Sequence, residues 1–278
     1  MFPILFTLDY SFSAWGHVFG PFHFYSYGLC LALALGICIT LFAYDAKKNI
    51  SQKMKMKPEM AFQKVFDLAI WVIIFSLVGA RLFFVLENHQ EFEGKWWESF
   101  YIFQGGLVYY GGLFGAMLAA LGWFKSEKWP MAYSFDLVAP YISLGQAIGR
   151  IGCFLNGCCY GNVDSRFGMV FPGGEDNLPH LPTQLWELAG DLAIFFLLLW
   201  ARRWTIRYPW LSLSLYGFTY GILRFVIEFW RRDWDKHYLV FFNSASQAVS
   251  GILVAVSLAV ILWILFSPRP KTGRTGVK

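Results

Sequence analysis

The sequence predicts an all-α, polytopic integral membrane protein. About seven transmembrane helices surround a lipid-accessible polar cavity, with the N-terminus outside and the C-terminus cytoplasmic. Three observations lead there. Apolar runs of about 17–25 residues, the length that crosses a bilayer, recur along the whole chain. Only 15% of the residues are charged and 57% are hydrophobic, against about a quarter charged in a soluble domain. Lys and Arg concentrate in alternate connections, the asymmetry that sets orientation in a membrane.

The runs fall roughly at 22–44, 65–87, 105–124, 132–152, 183–201, 211–229 and 239–266. They are continuous rather than alternating, which favours helices over barrel strands. Residues 1–21 are read as a short amphipathic or interfacial segment, because "MFPILFTLDYSF" lacks the basic start of a signal peptide and carries Asp9. The 45–64 connection holds six lysines, the 125–131 turn holds Lys125 and Lys128, and the 202–207 turn holds Arg202, Arg203 and Arg207. The tail at 267–278, read as flexible, adds four basic residues. These lie on one side, the cytoplasm. The opposite loops are poor in positive charge, with Lys95 alone in 88–104 and Arg166 alone in 153–182. The exception is "RRDWDK" at 231–236. With no linker and no clean repeat, residues 1–278 read as one membrane-embedded domain, with 153–182 its longest outer loop. The net charge of +5 is mostly this topological signal, and no nucleic-acid partner is invoked.

Charged residues inside apolar runs mark function, since each costs roughly 2.5–3.5 kcal/mol at mid-membrane on insertion scales. Arg81 sits near the outer end of the second run, Asp136 at the start of the fourth, and Arg150 at its end. Arg224, Glu228 and Arg231 follow a four-then-three spacing that puts them on one helix stripe. One carboxylate cannot neutralise two guanidiniums, and Arg150 adds to the surplus. The natural complement is an anion, and in a membrane the abundant anion is a lipid phosphate, which suits the planar guanidinium fork. A structural ion pair and snorkelling of Arg81 and Arg231 to the headgroups are the bland alternatives.

Glycines at 104–116, "QGGLVYYGGLFGA", and at 145–152 allow close helix packing. The doubled pairs Gly105-Gly106 and Gly111-Gly112 suggest irregular backbone lining a cavity, with Tyr110 projecting from it. Cys153, Cys158 and Cys159 lie together in "GRIGCFLNGCCYG". They are read as small packing residues of a tight loop. A disulfide, a thiol activated by the adjacent arginine, or a zinc site completed by His180 are the alternatives.

Several ordered motifs carry a resemblance over nearly the whole chain. They are "YSYGLCLALALG" with Tyr27, "GARLFFVL" with Arg81, and "DLVAPYISLGQAIGRIGCFLNGCCYG" with Asp136, Arg150, Asn156, Gly157 and Gly161. Then come "LPTQLWE" with Pro182, Gln184 and Glu187, and "LRFVIEFWR" with Arg224, Glu228 and Arg231. The chain resembles the bacterial prolipoprotein diacylglyceryl transferases. Many members have His-Gly-Gly where this chain has Tyr110-Gly111-Gly112, and Asn where it has Cys153.

The resemblance implies transfer of the diacylglyceryl group of phosphatidylglycerol to the lipobox cysteine of a prolipoprotein. A thioether forms and glycerol 1-phosphate leaves, the first step of lipoprotein maturation at the bacterial inner membrane. No metal or other cofactor is expected. Arg150 and Arg224 are then expected on the phosphate, Glu228 orients Arg224, and Asn156 bonds headgroup or acceptor backbone. Gly157, Gly111, Gly112, Arg81, Gln184, Glu187 and Arg231 are expected to help bind the substrates. Tyr110 or Tyr27 would assist proton transfer, provided a neighbouring arginine lowers a pKa ordinarily near ~10. Two other readings remain: a homologue that binds anionic lipid with altered catalysis, favoured by Tyr110, and an anionic-lipid transporter, which would have pseudo-symmetric halves that are not visible.

Overall fold

A computed structural model describes residues 3–10, 12–14, 17–19, 22–100, 105–171, 176–231 and 244–267. Arg232 and Lys236 of the outer basic cluster, and the tail beyond 267, lie outside them. Among the described residues the long helices are α1 (Ser26–Asp45), α3 (Pro58–Glu87), α4 (Tyr109–Ser126), α5 (Met131–Asn156), α6 (Thr183–Thr205), α7 (Leu211–Ile227) and α8 (Ala245–Phe266). A π-helical stretch at Ala46–Ile50 and a short α2 (Ser51–Met54) prolong α1. Among the described residues, four helical stretches are long and apolar enough to cross a membrane: Ser26–Met54, Pro58–Glu87, Thr183–Thr205 and Ala245–Phe266. Leucines along α1 such as Leu29, Leu31 and Leu33 are exposed, as are Ile252 and Val256 of α8. In a chain so apolar, such faces suit lipid better than water.

The described helices bear out the all-α expectation, and the N-terminal segment adds short two-stranded ribbons to it. β1 (Ile4–Leu8) pairs antiparallel with β4 (Phe22–Tyr25), and β2 (Phe12–Ala14) with β3 (His17–Phe19). Aromatic and branched residues favour such ribbons. Because the run is apolar on both faces, strand periodicity does not separate it from a helix. The first helix therefore starts at Ser26 rather than 22, where the Ser26 amide donates to the Pro3 carbonyl at 2.9 Å.

The lysine-rich connection is also shorter than its sequence suggests. Lys47, Lys48 and Lys53 are helical, and the chain turns only at Lys55, whose φ of 53° is left-handed. Pro58 then opens α3 at a position where its missing N–H costs nothing.

The chain divides into two compact units, residues 1–36 with 138–278, and residues 37–137. In the first, Ala139, Ile194 and Leu198 form a core against Leu213, Leu215, Tyr216, Tyr220 and Leu223. A Cβ on Gly190 would meet Leu223, and one on Gly221 would meet Val254, so α6, α7 and α8 pack through small residues.

In the second unit α3 and α4 pack along a glycine seam. A Cβ on Gly79 would strike the Gly111 carbonyl, one on Gly111 the Gly79 carbonyl, and one on Gly115 the Phe75 carbonyl. This corrects the reading of Gly111-Gly112 as irregular backbone: both are inside α4, buried against α3. Gly105 and Gly106 do leave regular geometry, at φ +87° and +72°.

Candidate active site

Helix α6 opens directly after Pro182 and sends Gln184, Glu187 and Asp191 down one face, three and four residues apart. All three are buried. Glu187 is the hub of an ion-pair cluster. Its Oε1 accepts from Arg224 Nη1 at 2.5 Å and faces Arg231 Nη1 at 3.6 Å, while Oε2 pairs with Arg150 Nη2. Glu228 completes it, with Oε2 at 3.0 Å from Arg224 Nη2 and 4.0 Å from Arg231 Nε. Arg150 comes from the C-terminal end of α5, Arg224 from the last turn of α7, and Glu228 from the 3-10 turn that follows.

Three guanidiniums share two carboxylates, an excess of one positive charge among these five groups (3 − 2 = 1). Buried ion pairs form at a desolvation cost that stability alone rarely recovers. A cluster with a charge left over is therefore suited to receiving an anion. Asp191 lies one turn beyond Glu187, with Oδ1 buried and lacking a hydrogen-bond partner.

The C-terminal end of α5 closes in a helix-capping motif. Gly157, at φ +73°, is the left-handed residue just past the helix. Its amide donates to the Phe154 carbonyl at 3.2 Å, and the Cys158 amide to the Cys153 carbonyl at 3.1 Å, the paired bonds of a Schellman cap. Asn156 is the last helical residue. Gln184 Nε2 then donates to the Cys158 carbonyl at 2.7 Å, and Thr183 Oγ1 to the Cys159 carbonyl at 3.0 Å. Gln184 thus holds the loop beside Arg150.

The same loop is tied to the end of α7. Gly161 bridges Arg231, and the Asn162 amide donates to the Trp230 carbonyl at 2.8 Å. A Cβ at Gly161 would collide with the Trp230 carbonyl. His180 is buried here, with Nδ1 at 3.0 Å from the Gly161 carbonyl and Nε2 at 2.6 Å from Asp176 Oδ1. It is a strut of the loop, away from the thiols. Asp164 accepts from the Phe167 and Arg166 amides, which holds its carboxyl below the usual carboxylate range. Tyr27 on α1 packs on the C-terminal end of α5: a Cβ at Gly152 would lie 3.2 Å from its ring.

The remaining sequence candidates belong to the second unit. Arg81 is buried, with its guanidinium turned to backbone carbonyls. Its Nε donates to the Ser99 carbonyl at 2.7 Å, Nη2 to Glu98 at 2.9 Å, and Nη1 to Gly105 at 2.8 Å and Gly106 at 3.2 Å. It fastens the irregular glycines to α3. Tyr110 is 45% exposed on α4, its ring 5.6 Å from that of Tyr109. Gly111 and Gly112 serve the α3–α4 seam.

Sequence reading named Arg150, Glu187, Arg224, Glu228 and Arg231, and the structure brings all five together. It missed Asp191 and Ser244. Ser244 caps α8 by accepting from the Gln247 amide at 3.1 Å, and donates to Glu228 Oε1 at 2.7 Å. Signals for both exist: Ser-x-x-Gln before an apolar run is a capping box, and an acid four residues after Glu187 shares its face.

Comparison with known proteins follows the same residues. A family model described as prolipoprotein diacylglyceryl transferase matches residues 15–263. The chain is 31% identical over 256 residues to the phosphatidylglycerol–prolipoprotein diacylglyceryl transferase of Francisella tularensis subsp. novicida (strain U112), covering 90% of this chain and 92% of the relative. The enzymes of that name from subsp. mediasiatica (strain FSC147) and subsp. holarctica (strain LVS) show the same identity and coverage.

Proposed function

This chain belongs to the prolipoprotein diacylglyceryl transferase family, and from that premise we propose that its arginine cluster holds the phosphate of phosphatidylglycerol while a prolipoprotein cysteine displaces it. The carrying observation is the set of three guanidiniums gathered on Glu187 and Glu228 with one positive charge in excess.

The chemistry matches that charge. The acceptor sulfur attacks the glycerol carbon bearing the phosphate, a C–S bond forms, and the C–O bond breaks. Its electron pair leaves with glycerol 1-phosphate, and the thiol proton passes to a base. A phosphodiester carries one negative charge and the departing monoester approaches two. Charge therefore develops on the group facing the guanidiniums, where preorganised donors act most strongly.

Arg150 and Arg224 contact the phosphate, Glu228 orients Arg224, and Glu187 keeps all three arginines from repelling one another. Asn156 and Gly157 meet headgroup or acceptor backbone at the mouth of the site, and Arg231 ties the outer loop to the cluster. Gln184 supports that loop, and the expected roles of Arg81, Gly111 and Gly112 in substrate binding give way to local ones within their own unit. Tyr27 and Tyr110 are the candidates for proton transfer. Tyr27 is supported by its packing on the same end of α5 as Arg150, and Tyr110 by its exposure. We place the protein in the bacterial inner membrane with seven spans, the N-terminus and loop 153–182 outside and the C-terminus inside.

The test is direct. The detergent-purified protein is mixed with phosphatidylglycerol and a lipobox peptide, and mass spectrometry follows the peptide. A diacylglyceryl thioether with matching release of glycerol phosphate is expected. Lipid binding without any adduct overturns the reading.

A further inference from the structure

Cys153, Cys158 and Cys159 gather their sulfurs within 4.8 Å of one another, and the reaction uses none of them. We propose that these three thiolates form a binding site for a single soft metal ion, and that copper(I) is the ion the set fits.

The local fold builds the cluster. In a Schellman cap the third residue from the helix end and the second beyond it are brought face to face. Those positions are Cys153 and Cys158. Cys159 follows at φ +64°, a left-handed conformation that side-chain-bearing residues rarely adopt. Consecutive side chains ordinarily diverge, yet here the Cys158 and Cys159 sulfurs lie 3.8 Å apart. The Gln184 and Thr183 side chains grip the Cys158 and Cys159 carbonyls, so the arrangement is held from outside the cysteines themselves. Small packing residues need no such clamp.

The spacing suits ligands better than a bond. A disulfide joins sulfurs at about 2.05 Å. Two thiolates each about 2.3 Å from a shared ion lie about 3.8–4.0 Å apart for angles between tetrahedral and trigonal. Structural zinc takes four protein ligands. Here the cluster holds three, and the His180 nitrogens face Gly161 and Asp176 instead. Three soft sulfurs without a fourth ligand suit copper(I). Cys153 is buried and the other two are half-buried, so an ion can enter and then be shielded. Binding releases the thiol protons to solvent. It would lock the cap that carries Asn156, nearly two helical turns beyond Arg150.

The full chain, reduced and stripped of metal in detergent, is titrated with copper(I) against a chromophoric competitor. The bound protein is then alkylated and mapped by mass spectrometry. One copper(I) per chain is expected. It should protect Cys153, Cys158 and Cys159 from alkylation, while Cys30 and Cys38 are modified to the same extent with and without metal. Cys158→Ser should weaken copper binding at least about tenfold, and the protection readout on the unmutated chain stands if that variant fails to fold. Unaltered alkylation of the three thiols, or zinc(II) displacing copper(I), would each overturn the proposal.

Discussion

Glu187 decides the electrostatics of the site, because both its oxygens are committed to guanidiniums. Glu187→Gln strands Arg150 and weakens the hold on Arg224. Breaking a buried pair from one side costs about 3–5 kcal/mol. A marked fall in melting temperature in detergent is expected, together with loss of thioether formation. Arg231→Gln is milder at the cluster, since Arg231 lies 3.6 Å from Glu187 and 4.0 Å from Glu228. Its turnover should fall about tenfold, roughly 1.4 kcal/mol of barrier, with expression and topology unchanged. An inverted topology in that variant would make Arg231 a folding signal instead. Asp164 gives a pH prediction on the outer loop. Its carboxyl is held below the ordinary value by the Phe167 and Arg166 amides. The stabilisation is therefore present above the unfolded value of about 3.9 and lost as pH falls through the lower folded value. Hydrogen exchange at the Phe167 and Arg166 amides should be slow near neutrality and lose protection only on strong acidification. Arg150, Arg224, Glu228 and Arg231 were legible as charges in or beside apolar sequence, and Glu187 only through the motif it shares with the family. Asp191 and Ser244 were not singled out, because a lone acid and a lone serine gain meaning only beside their partners.

At the level of elements, glycine was the residue whose role the sequence left open. Gly105-Gly106 and Gly111-Gly112 look alike in one dimension. The first pair bends the chain and is fastened by Arg81, while the second lets two helix backbones touch. Within a bilayer there is little hydrophobic force between helices, so close packing through small residues carries association. Gly115→Leu would drive a side chain into the Phe75 carbonyl. Overpacking typically costs about 1–3 kcal/mol, and backbone gives less than side chain. A lower melting temperature with normal membrane insertion is expected, and an unchanged melt would argue that the seam is looser than drawn. The N-terminal ribbons were illegible for a related reason: a segment apolar on both faces has no period to read.

Across the whole molecule, hydropathy marks some helices as spans more clearly than others. The four stretches with clear spanning character are α1 with its extension, α3, α6 and α8. Helices α4, α5 and α7 fall outside that set, α7 because its 17 residues are too few, while α6 keeps its spanning character although it carries Glu187 and Asp191. The positive-inside asymmetry gives a sided prediction. In intact cells an impermeant maleimide should label Arg166→Cys, and should label Lys53→Cys only after the inner membrane is opened. The reverse pattern would invert the proposed orientation and remove the lipoprotein substrate from reach of loop 153–182.

The arginine cluster as phosphate site is tested most directly by the initial rate of thioether formation in Arg150→Ala, measured beside the wild-type chain on protein matched for folded content. Loss of a preorganised donor to developing charge predicts a fall of about 10²–10³ in rate. A rate within about twofold of wild type would mean that the phosphate is held elsewhere, and that Glu187 organises a structural ion-pair cluster.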